Sequence, residues 1–395
     1  MSLNQTPSAE RIHIAFFGRR NAGKSSVINA VTGQDISIVS DVKGTTTDPV
    51  FKAMELLPLG PVVVIDTPGL DDEGELGRKR IEKSFQVLRK TDIAVIVIDS
   101  EEGKTDSDVY IEEEIKKRNI PYVTVFNKAD KAKPSYVNEN EILVSAITGE
   151  NINKLKEVIA TKLNTEQSDK RIIGDLIKEK DFVLLVVPID EAAPKGRLIL
   201  PQQQTIRDIL DTYANAIVVR DTELEDVLKR LDGMVSMVVT DSQIFNKVMK
   251  VVPENIPLTS FSILFARYKG NLRQNVEGAK KLDSLSDGDK ILISEGCTHH
   301  RQCNDIGTVK LPSWILKHTG KNVTFNYTSG IDFEDDLSQY ALIIHCGGCM
   351  LNEKEMKYRL AAARSQNIPM TNYGIAIAHM NGILNRSIKI FNDEF

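Results

Sequence analysis

The stretch Gly18-Arg-Arg-Asn-Ala-Gly-Lys-Ser25 constrains the fold of this chain more than any other feature of the sequence. It fits the pattern G-x-x-x-x-G-K-S/T and follows residues 11–17, whose alternating apolar residues predict a strand. Such a loop turns its backbone N–H groups towards phosphates, while Lys24 reaches the β- and γ-phosphate oxygens and the Ser25 hydroxyl can bind Mg²⁺. Residues 26–31 predict a helix whose N-terminus faces this anion. The predicted contacts in this loop and helix are Gly18, Asn21, Ala22, Gly23, Lys24, Ser25 and Ser26.

Three further motifs, each at the end of a predicted strand, identify the nucleotide. Asp66-Thr-Pro-Gly69 follows the strand pair 50–57 and 61–65, so Asp66 can hold Mg²⁺ through water and Gly69 can meet the γ-phosphate. Asn127-Lys128-Ala-Asp130 follows the strand 122–126, and its final carboxylate can accept hydrogen bonds from guanine N1 and N2. Adenine lacks that pair of donors, so the sequence predicts GTP rather than ATP. The base pocket is completed by Ser145 and Ala146.

This set resembles the small GTPases of the translation-factor class, and Gly44-Thr45-Thr46-Thr47-Asp48 resembles switch I of the Era and tRNA-modification group. The resemblance implies that Thr46 binds Mg²⁺, that Thr45 contacts the nucleotide, and that Asn21 accompanies a K⁺ ion supplying the charge of an arginine finger. Leu70 stands where Ras-like proteins keep a water-orienting glutamine, so we expect slow hydrolysis. The predicted catalytic set is Lys24, Thr46, Asp66 and Gly69.

The length, charge and distribution of apolar residues limit the kinds of protein this chain can be. A chain of 395 residues is expected to form about two or three domains. Its net charge of −5 argues against nucleic acid as the main partner, because binding phosphate backbones needs a basic face. No apolar run approaches the roughly 20 residues needed to span a bilayer, so no membrane association is expected. Residues 1–10 lack the pattern of a signal peptide, which predicts a cytoplasmic protein with reduced thiols.

A middle segment, 181–262, is predicted to form a domain of its own. Its apolar strands alternate with helices, which predicts a small parallel sheet. It carries no paired carboxylates, nucleophile or metal spacing, so we expect it to support dimerisation. We predict that the strand containing Met234, Val235, Met237 and Val238 extends this sheet across a two-fold axis.

All four cysteines lie in one short part of the C-terminal third, at positions 297, 303, 346 and 349. The predicted strand 290–294 leads to Cys297-Thr-His299, and the strand 341–344 leads to His345-Cys346-Gly-Gly-Cys349. In a parallel sheet these motifs would meet at one rim, where ligands usually bind. The Gly-Gly turn leaves backbone N–H groups free to hydrogen-bond to sulfur. The spacing predicts a metal site.

The spacing of the cysteines does not select between two metals. Three thiolates with one histidine suit a structural zinc ion, and three cysteines with an open or weakly held fourth position suit an iron–sulfur cluster. Cys303 could be a further thiolate ligand, although a non-ligating role is favoured. His299 and His345 could either bind the metal or hydrogen-bond to the ligating sulfurs. The remaining C-terminal histidines, His300, His318 and His379, are given no role.

The combination of a potassium-type GTPase, a middle domain without a site, and Cys-x-His followed by His-Cys-x-x-Cys resembles the maturation GTPases of FeFe-hydrogenase. The resemblance implies a dimeric scaffold whose 4Fe-4S cluster is held by Cys297, Cys346 and Cys349, with His299 a candidate for the fourth ligand. It also implies that the scaffold receives a di-iron precursor from two radical-SAM maturases and delivers it to apo-FeFe-hydrogenase. The alternative is an RNA- or ribosome-associated GTPase with a structural zinc domain.

The predicted fold class is α/β, a P-loop GTPase domain followed by two further α/β domains with mainly parallel sheets. The predicted boundaries are 1–10 for a flexible N-terminus, 11–165 for the GTP-binding domain, 166–180 for a linker, 181–262 for the dimerisation domain and 263–395 for the cluster-binding domain.

Overall fold

The structure, a computed structural model, describes residues 6–34, 49–69, 83–133, 138–164, 170–189, 198–296, 305–330 and 332–395. The chain forms two compact units, Met1–Ser168 and Asp169–Phe395. One sheet lies in the first unit and two lie in the second, and their strands are mainly parallel, as predicted. Among the described residues, no helix has both the length and the apolar character needed to cross a membrane.

The first unit is built on a six-stranded sheet of order β2-β3-β1-β4-β5-β6, in which only the β2–β3 pair is antiparallel. Its strands are β1 Ile12–Phe17, β2 Val50–Leu56, β3 Gly60–Asp66, β4 Ile93–Asp99, β5 Tyr122–Asn127 and β6 Glu141–Leu143. Three of its helices are α1 Lys24–Thr32, α2 Asp106–Lys117 and α3 Ile152–Asn164. All seven residues of β4 are buried, since this central strand is covered on both faces, whereas β2 alternates in exposure.

The parallel strands of the first unit bring the motif residues to one edge. Asp66 is the last residue of β3, Asn127 is the last residue of β5, and α1 begins at Lys24 shortly after β1 ends. Because β3, β1, β4 and β5 are consecutive neighbours that run in the same direction, their carboxyl ends lie side by side.

The second unit contains two four-stranded parallel sheets, of order β10-β9-β7-β8 and β12-β11-β13-β14. The strands of the first are β7 Phe182–Val186, β8 Asn215–Val219, β9 Val235–Thr240 and β10 Leu258–Ser260. Those of the second are β11 Lys290–Glu295, β12 Thr324–Ser329, β13 Leu342–His345 and β14 Met370–Asn372. The helices are α4 Leu200–Asp211, α5 Leu224–Leu231, α6 Phe245–Val251, α7 Phe261–Lys269, α8 Leu272–Ala279, α9 Leu311–Thr319, α10 Glu353–Ser365, α11 Tyr373–Met380 and α12 Leu384–Ile388.

One hydrophobic core joins elements from both halves of the second unit. It contains Val183 of β7, Ile263 of α7 and Ile375 of α11. It also contains Ile172 and Ile173, so the described part of the predicted linker 166–180 packs into this core. The backbone N–H groups of these two isoleucines donate to the Asp208 carboxylate, at 3.0 and 2.8 Å. The finer division into domains 181–262 and 263–395 stays a prediction.

The position of β9 corrects the predicted mode of dimerisation. The strand that follows Met234 pairs with β7 on one side and β10 on the other, so its backbone groups are already used within the sheet. An interior strand cannot extend a sheet across a two-fold axis. The edges of this sheet are the three-residue β10 and the five-residue β8, of which β8 offers the longer free edge.

Candidate functional site

The phosphate loop lies against the motif predicted to bind the base. Gly23 adopts φ +82°, and a Cβ atom there would lie 2.2 Å from Asn127 Nδ2. The Asn127 amide donates to the carbonyl of Ala22 at 3.2 Å, and its Oδ1 accepts from the N–H of Ala146 at 3.1 Å. One buried side chain therefore joins the phosphate loop to the loop after β6. Asn21 in the same loop is exposed and also adopts a positive φ, +65°.

The two residues predicted to hold Mg²⁺, Ser25 and Asp66, lie together beside Lys24. The Ser25 hydroxyl donates to Asp66 Oδ2 at 3.1 Å, and Lys24 Nζ lies 3.6 Å from Asp66 Oδ1. Asp66 Oδ1 is buried and accepts no hydrogen bond. Such an orphaned carboxylate oxygen beside a serine hydroxyl is an oxygen donor set that suits Mg²⁺.

The residues predicted to contact the base, Asp130, Ser145 and Ala146, are also brought together. The Ser145 hydroxyl donates to Asp130 Oδ1 at 2.5 Å, which lowers the pKa of that carboxyl group. The carboxylate is therefore ionised at neutral pH and can accept from a base. Lys128, with φ +64°, is held by an ion pair of 2.5 Å between its Nζ and Asp99 Oδ2 at the end of β4.

The exposed Ser26 lies in the first turn of α1, and Gly18 packs so tightly that a Cβ would lie 2.3 Å from the Val97 carbonyl oxygen.

Several predicted site residues lie outside the described residues. They are Thr45, Thr46 and Leu70 of the first unit, and Cys297, His299, His300 and Cys303 of the second. Gly69 is described and follows β3 by three residues.

Cys346 and Cys349 lie at the carboxyl edge of the second unit's β12-β11-β13-β14 sheet. Cys346 directly follows β13, and its N–H donates to the carbonyl of Ser294 on the neighbouring β11 at 2.9 Å. The Cys346 sulfur accepts from the N–H of Gly296 at 3.0 Å and from that of Gly348 at 3.4 Å. Gly296 is the residue before Cys297, so the chain reaches this rim immediately before the first cysteine of the predicted set.

The glycine turn between Cys346 and Cys349 packs against α10. Gly348 adopts φ +61°, and a Cβ there would lie 2.7 Å from Met356 Sδ on α10. Backbone N–H groups pointing at a cysteine sulfur stabilise its thiolate form, which is the form that binds metals. Both cysteines are half-buried. The donor set and the glycine cradle therefore fit a metal or cluster bound by thiolates.

His345 is held by a buried network that sequence reasoning did not reveal. Its Nδ1 lies 2.7 Å from the Cys346 carbonyl oxygen, so Nδ1 carries the proton. Its Nε2 accepts from Arg359 Nη1 at 3.0 Å. The fully buried Arg359 also donates to Glu355 at 2.8 Å and to Ser294 Oγ at 3.3 Å. Because both ring nitrogens of His345 are engaged, this residue orients the Cys346 loop and has no free nitrogen for a metal.

Lys269, the last residue of α7, places a buried positive charge beside the second cysteine. The residue is only 4% exposed, and its Nζ donates to the carbonyls of Cys349 at 3.3 Å and Leu351 at 3.0 Å. Burial, and then the neighbouring Cys346, raise the pKa of the Cys349 thiol, whereas the Lys269 ammonium group lowers it. A cation in this position favours negative charge on the loop.

Tyr373 and Glu295 complete the rim. The Tyr373 hydroxyl donates to Glu295 Oε1 at 3.2 Å, so the first residue of α11 touches the last residue of β11. Burial is the main cause that raises the pKa of Tyr373, and Cys346 and Glu295 add to it. A Cβ at Gly307 would lie 2.3 Å from the Tyr373 oxygen, so the helical turn Ile306–Lys310 packs against this pair.

Comparisons with known families match three parts of the chain. The family models described as "Hydrogen maturase F dimerization domain" and "Hydrogen maturase F tetramerization domain" match residues 172–270 and 273–390, which together exceed half of the chain. The model described as "50S ribosome-binding GTPase" matches residues 13–128.

Individual relatives match mainly through the first unit. The tRNA modification GTPase MnmE of Legionella pneumophila (strain Corby) is 36% identical over 201 residues, which cover 49% of this chain and 42% of the relative. GTPase Era of Halothermothrix orenii is 28% identical, over 51% of this chain and 75% of the relative. The crystal structure of an Aquifex aeolicus Era variant bound to GDP·AlF4⁻ has a TM-score of 0.34 and 21% identity, with coverages of 56% and 98%. This chain spans less than half the length of the MnmE relatives.

Proposed function

This chain belongs to the hydrogen maturase F family, and from that premise we propose that it is a GTP-hydrolysing iron–sulfur scaffold for FeFe-hydrogenase maturation. The scaffold would receive a di-iron precursor from radical-SAM maturases and deliver it to apo-FeFe-hydrogenase. The observation that supports this proposal most is the rim at the ends of β11 and β13. There Gly296, the residue before Cys297, donates to the Cys346 sulfur.

We propose that the resident group of this rim is a 4Fe-4S cluster held by Cys297, Cys346 and Cys349. Two backbone N–H groups already point at the Cys346 sulfur, as in loops that hold thiolate-bound clusters. The Lys269 ammonium would offset part of the negative charge of three thiolates. The cluster would supply the attachment point for the di-iron precursor. We do not propose His345 as the fourth ligand, because both of its ring nitrogens are hydrogen-bonded, and His299 stays a candidate.

We propose that the first unit binds GTP with Mg²⁺ and hydrolyses it slowly. Asp66 and Ser25 would hold the Mg²⁺ ion with Thr46, and Asp130 would accept from the guanine edge. Asn21, which is exposed in the phosphate loop, would bind a K⁺ ion. GTP binding and hydrolysis would control docking or release of partners without touching the cluster chemically.

Self-association is supported by the dimerization and tetramerization domains that the family models describe. We propose that the dimer forms through β8, the exposed edge of the β10-β9-β7-β8 sheet. Val218 on this strand is 44% exposed, and the apolar side chains of Tyr213 and Met234 are also exposed near the ends of β8 and β9. An unpaired apolar edge strand is a template for pairing with a second chain.

The proposal is tested by transfer to apo-FeFe-hydrogenase. The chain is purified anaerobically from cells that also make the two radical-SAM maturases, mixed with apo-hydrogenase, and hydrogen evolution is measured. We expect activation by the unmodified chain, and near-complete loss in Cys346→Ser because a cluster ligand is missing. Cys303→Ser is the matched control and should activate normally. Equal activation by Cys346→Ser would contradict the scaffold function.

A further inference from the structure

Asp283, His318 and His379 form a cluster on the second unit, away from the cysteine rim. His318 Nε2 lies 2.9 Å from Asp283 Oδ1, and His379 Nε2 lies 2.9 Å from Asp283 Oδ2. The two imidazole rings meet edge to face, with centroids 6.0 Å apart. One potential ligand atom from each residue lies within 4.8 Å of the others. Two imidazoles and a carboxylate therefore converge on one point.

The three side chains come from elements that are fixed by a common core. His318 lies in the last turn of α9, His379 lies in the last turn of α11, and Asp283 belongs to the 3-10 turn Lys280–Ser284. Their neighbours Ile315, Ile377 and Leu282 are buried together in one hydrophobic cluster. The backbone positions are thus preorganised, which reduces the ordering cost of binding a ligand.

We propose that these three residues bind one divalent transition-metal ion, with Zn²⁺ as its representative. Two histidines and one carboxylate, with solvent in a fourth position, are an established zinc donor set. Ligand atoms around a tetrahedral zinc ion lie about 3.4 Å apart, so side-chain shifts of about 1 Å would close the site. Partial exposure leaves room for the water: the side chains of His379, His318 and Asp283 are 16%, 27% and 57% exposed.

The hydrogen bonds of the cluster prepare Asp283 for this role. Hydrogen bonding to His318, and also to His379, lowers the pKa of the Asp283 carboxyl group, although burial opposes the shift. The carboxylate is therefore ionised, and metal binding requires each neutral imidazole to carry its proton on Nδ1, which leaves Nε2 as the ligand atom. The ion would join the C-terminal ends of α9 and α11 to the turn after α8.

This site is distinct from the cysteine rim. His379 lies near the end of α11, whose first residue, Tyr373, contacts Glu295 at the rim. An eight-residue helix is about 12 Å long, so α11 separates the two sites. The proposal does not depend on the scaffold function, since it uses no cysteine.

Zinc binding to the full chain tests the proposal, with all four cysteines replaced by serine so that thiolates cannot compete. Zn²⁺ is titrated against a chromophoric chelator, and unfolding temperature is measured with and without Zn²⁺. We expect one tight site per chain and a higher Tm with Zn²⁺. His318→Ala, His379→Ala and Asp283→Asn should each weaken binding by more than about tenfold and abolish the shift in Tm.

Lys317→Ala is the control, since it changes the residue next to His318 without removing a ligand. It should bind Zn²⁺ like the parent. If the cysteine-free chain does not fold, the same titration is made on the natural chain after its thiols are alkylated with iodoacetamide under native conditions. No zinc binding in the parent, or equal binding in His379→Ala, would overturn the proposal.

Discussion

At Gly23 the phosphate loop approaches Asn127, in the motif predicted to bind the base, too closely to admit a side chain. Its Cα faces the amide of Asn127, which is fixed by hydrogen bonds at both ends. Gly33, at the other end of α1, has a similar left-handed backbone, with φ +65° against +82°, but a Cβ there would meet nothing within 4 Å. Substitutions at Gly23 and Gly33 therefore distinguish the effect of backbone strain from the effect of a steric clash.

We predict that Gly23→Ala weakens GTP binding by at least about tenfold, because the new methyl group displaces Asn127 from Ala22 and Ala146. Gly33→Ala should bind GTP normally, although the left-handed backbone costs about 1–2 kcal/mol of stability in both variants. Affinity is measured with a fluorescent guanine nucleotide. Equal affinity in the two variants would show that the close approach to Asn127 is unimportant.

Lys269 is the charged residue whose effect on the cysteine rim can be measured separately. A cation near the cluster favours its more negative, reduced form, so Lys269→Met should shift the reduction potential to more negative values, by about 50–100 mV. The shift is read from a redox titration followed by EPR. The exposed Lys250, on α6, provides the control Lys250→Met, which should leave the potential unchanged. A shift of opposite sign in Lys269→Met would refute the charge argument.

Sequence and structure identify different kinds of residue. Asp66, Asn127 and Asp130 can be predicted from the sequence as nucleotide-site residues because each belongs to a short motif next to a strand. Lys269 and Arg359 could not, because their roles arise from contacts with segments distant in the chain, such as that of Lys269 with Cys349, 80 positions further on.

At the scale of elements, the sequence predicts where the strands of the second unit lie in the chain better than it predicts which strands pair with one another. The predicted strands 290–294 and 341–344 agree within one residue at each end with β11 and β13. Apolar runs do not tell which strand lies at an edge, because periodicity records burial on the two faces and not the hydrogen-bonding partner. The predicted dimer strand β9 is therefore interior, and β8 is the edge.

A charge on β8 should disrupt the dimer. We predict that Val218→Lys makes the chain monomeric at micromolar concentration, because a lysine on an edge strand opposes pairing with a second sheet. Val109→Lys on α2 is the matched control, since Val109 is 41% exposed and Val218 is 44% exposed. Light scattering measures the mass of both variants. A dimer of normal stability in Val218→Lys would place the contact elsewhere.

At the scale of the whole molecule, the chain combines a nucleotide site in one unit with a cysteine rim in the other. The sequence predicted the α/β class of both, since strands alternate with helices throughout. It did not predict that the core of the second unit would include Ile172 and Ile173 from the proposed linker. A polar segment marks a boundary only approximately, because a few apolar residues within it are enough to anchor the chain to a core.

The central claim, that the second unit holds an iron–sulfur cluster independently of the GTPase site, is tested most directly by iron and sulfide analysis of the anaerobically purified chain, with EPR after reduction. We predict about four iron and four sulfide ions per chain, the same content in Lys24→Ala, and loss of both in Cys346→Ser. A colourless protein with one zinc ion would contradict the account and favour an RNA-associated GTPase. Loss of iron in Lys24→Ala would contradict the independence of the two sites.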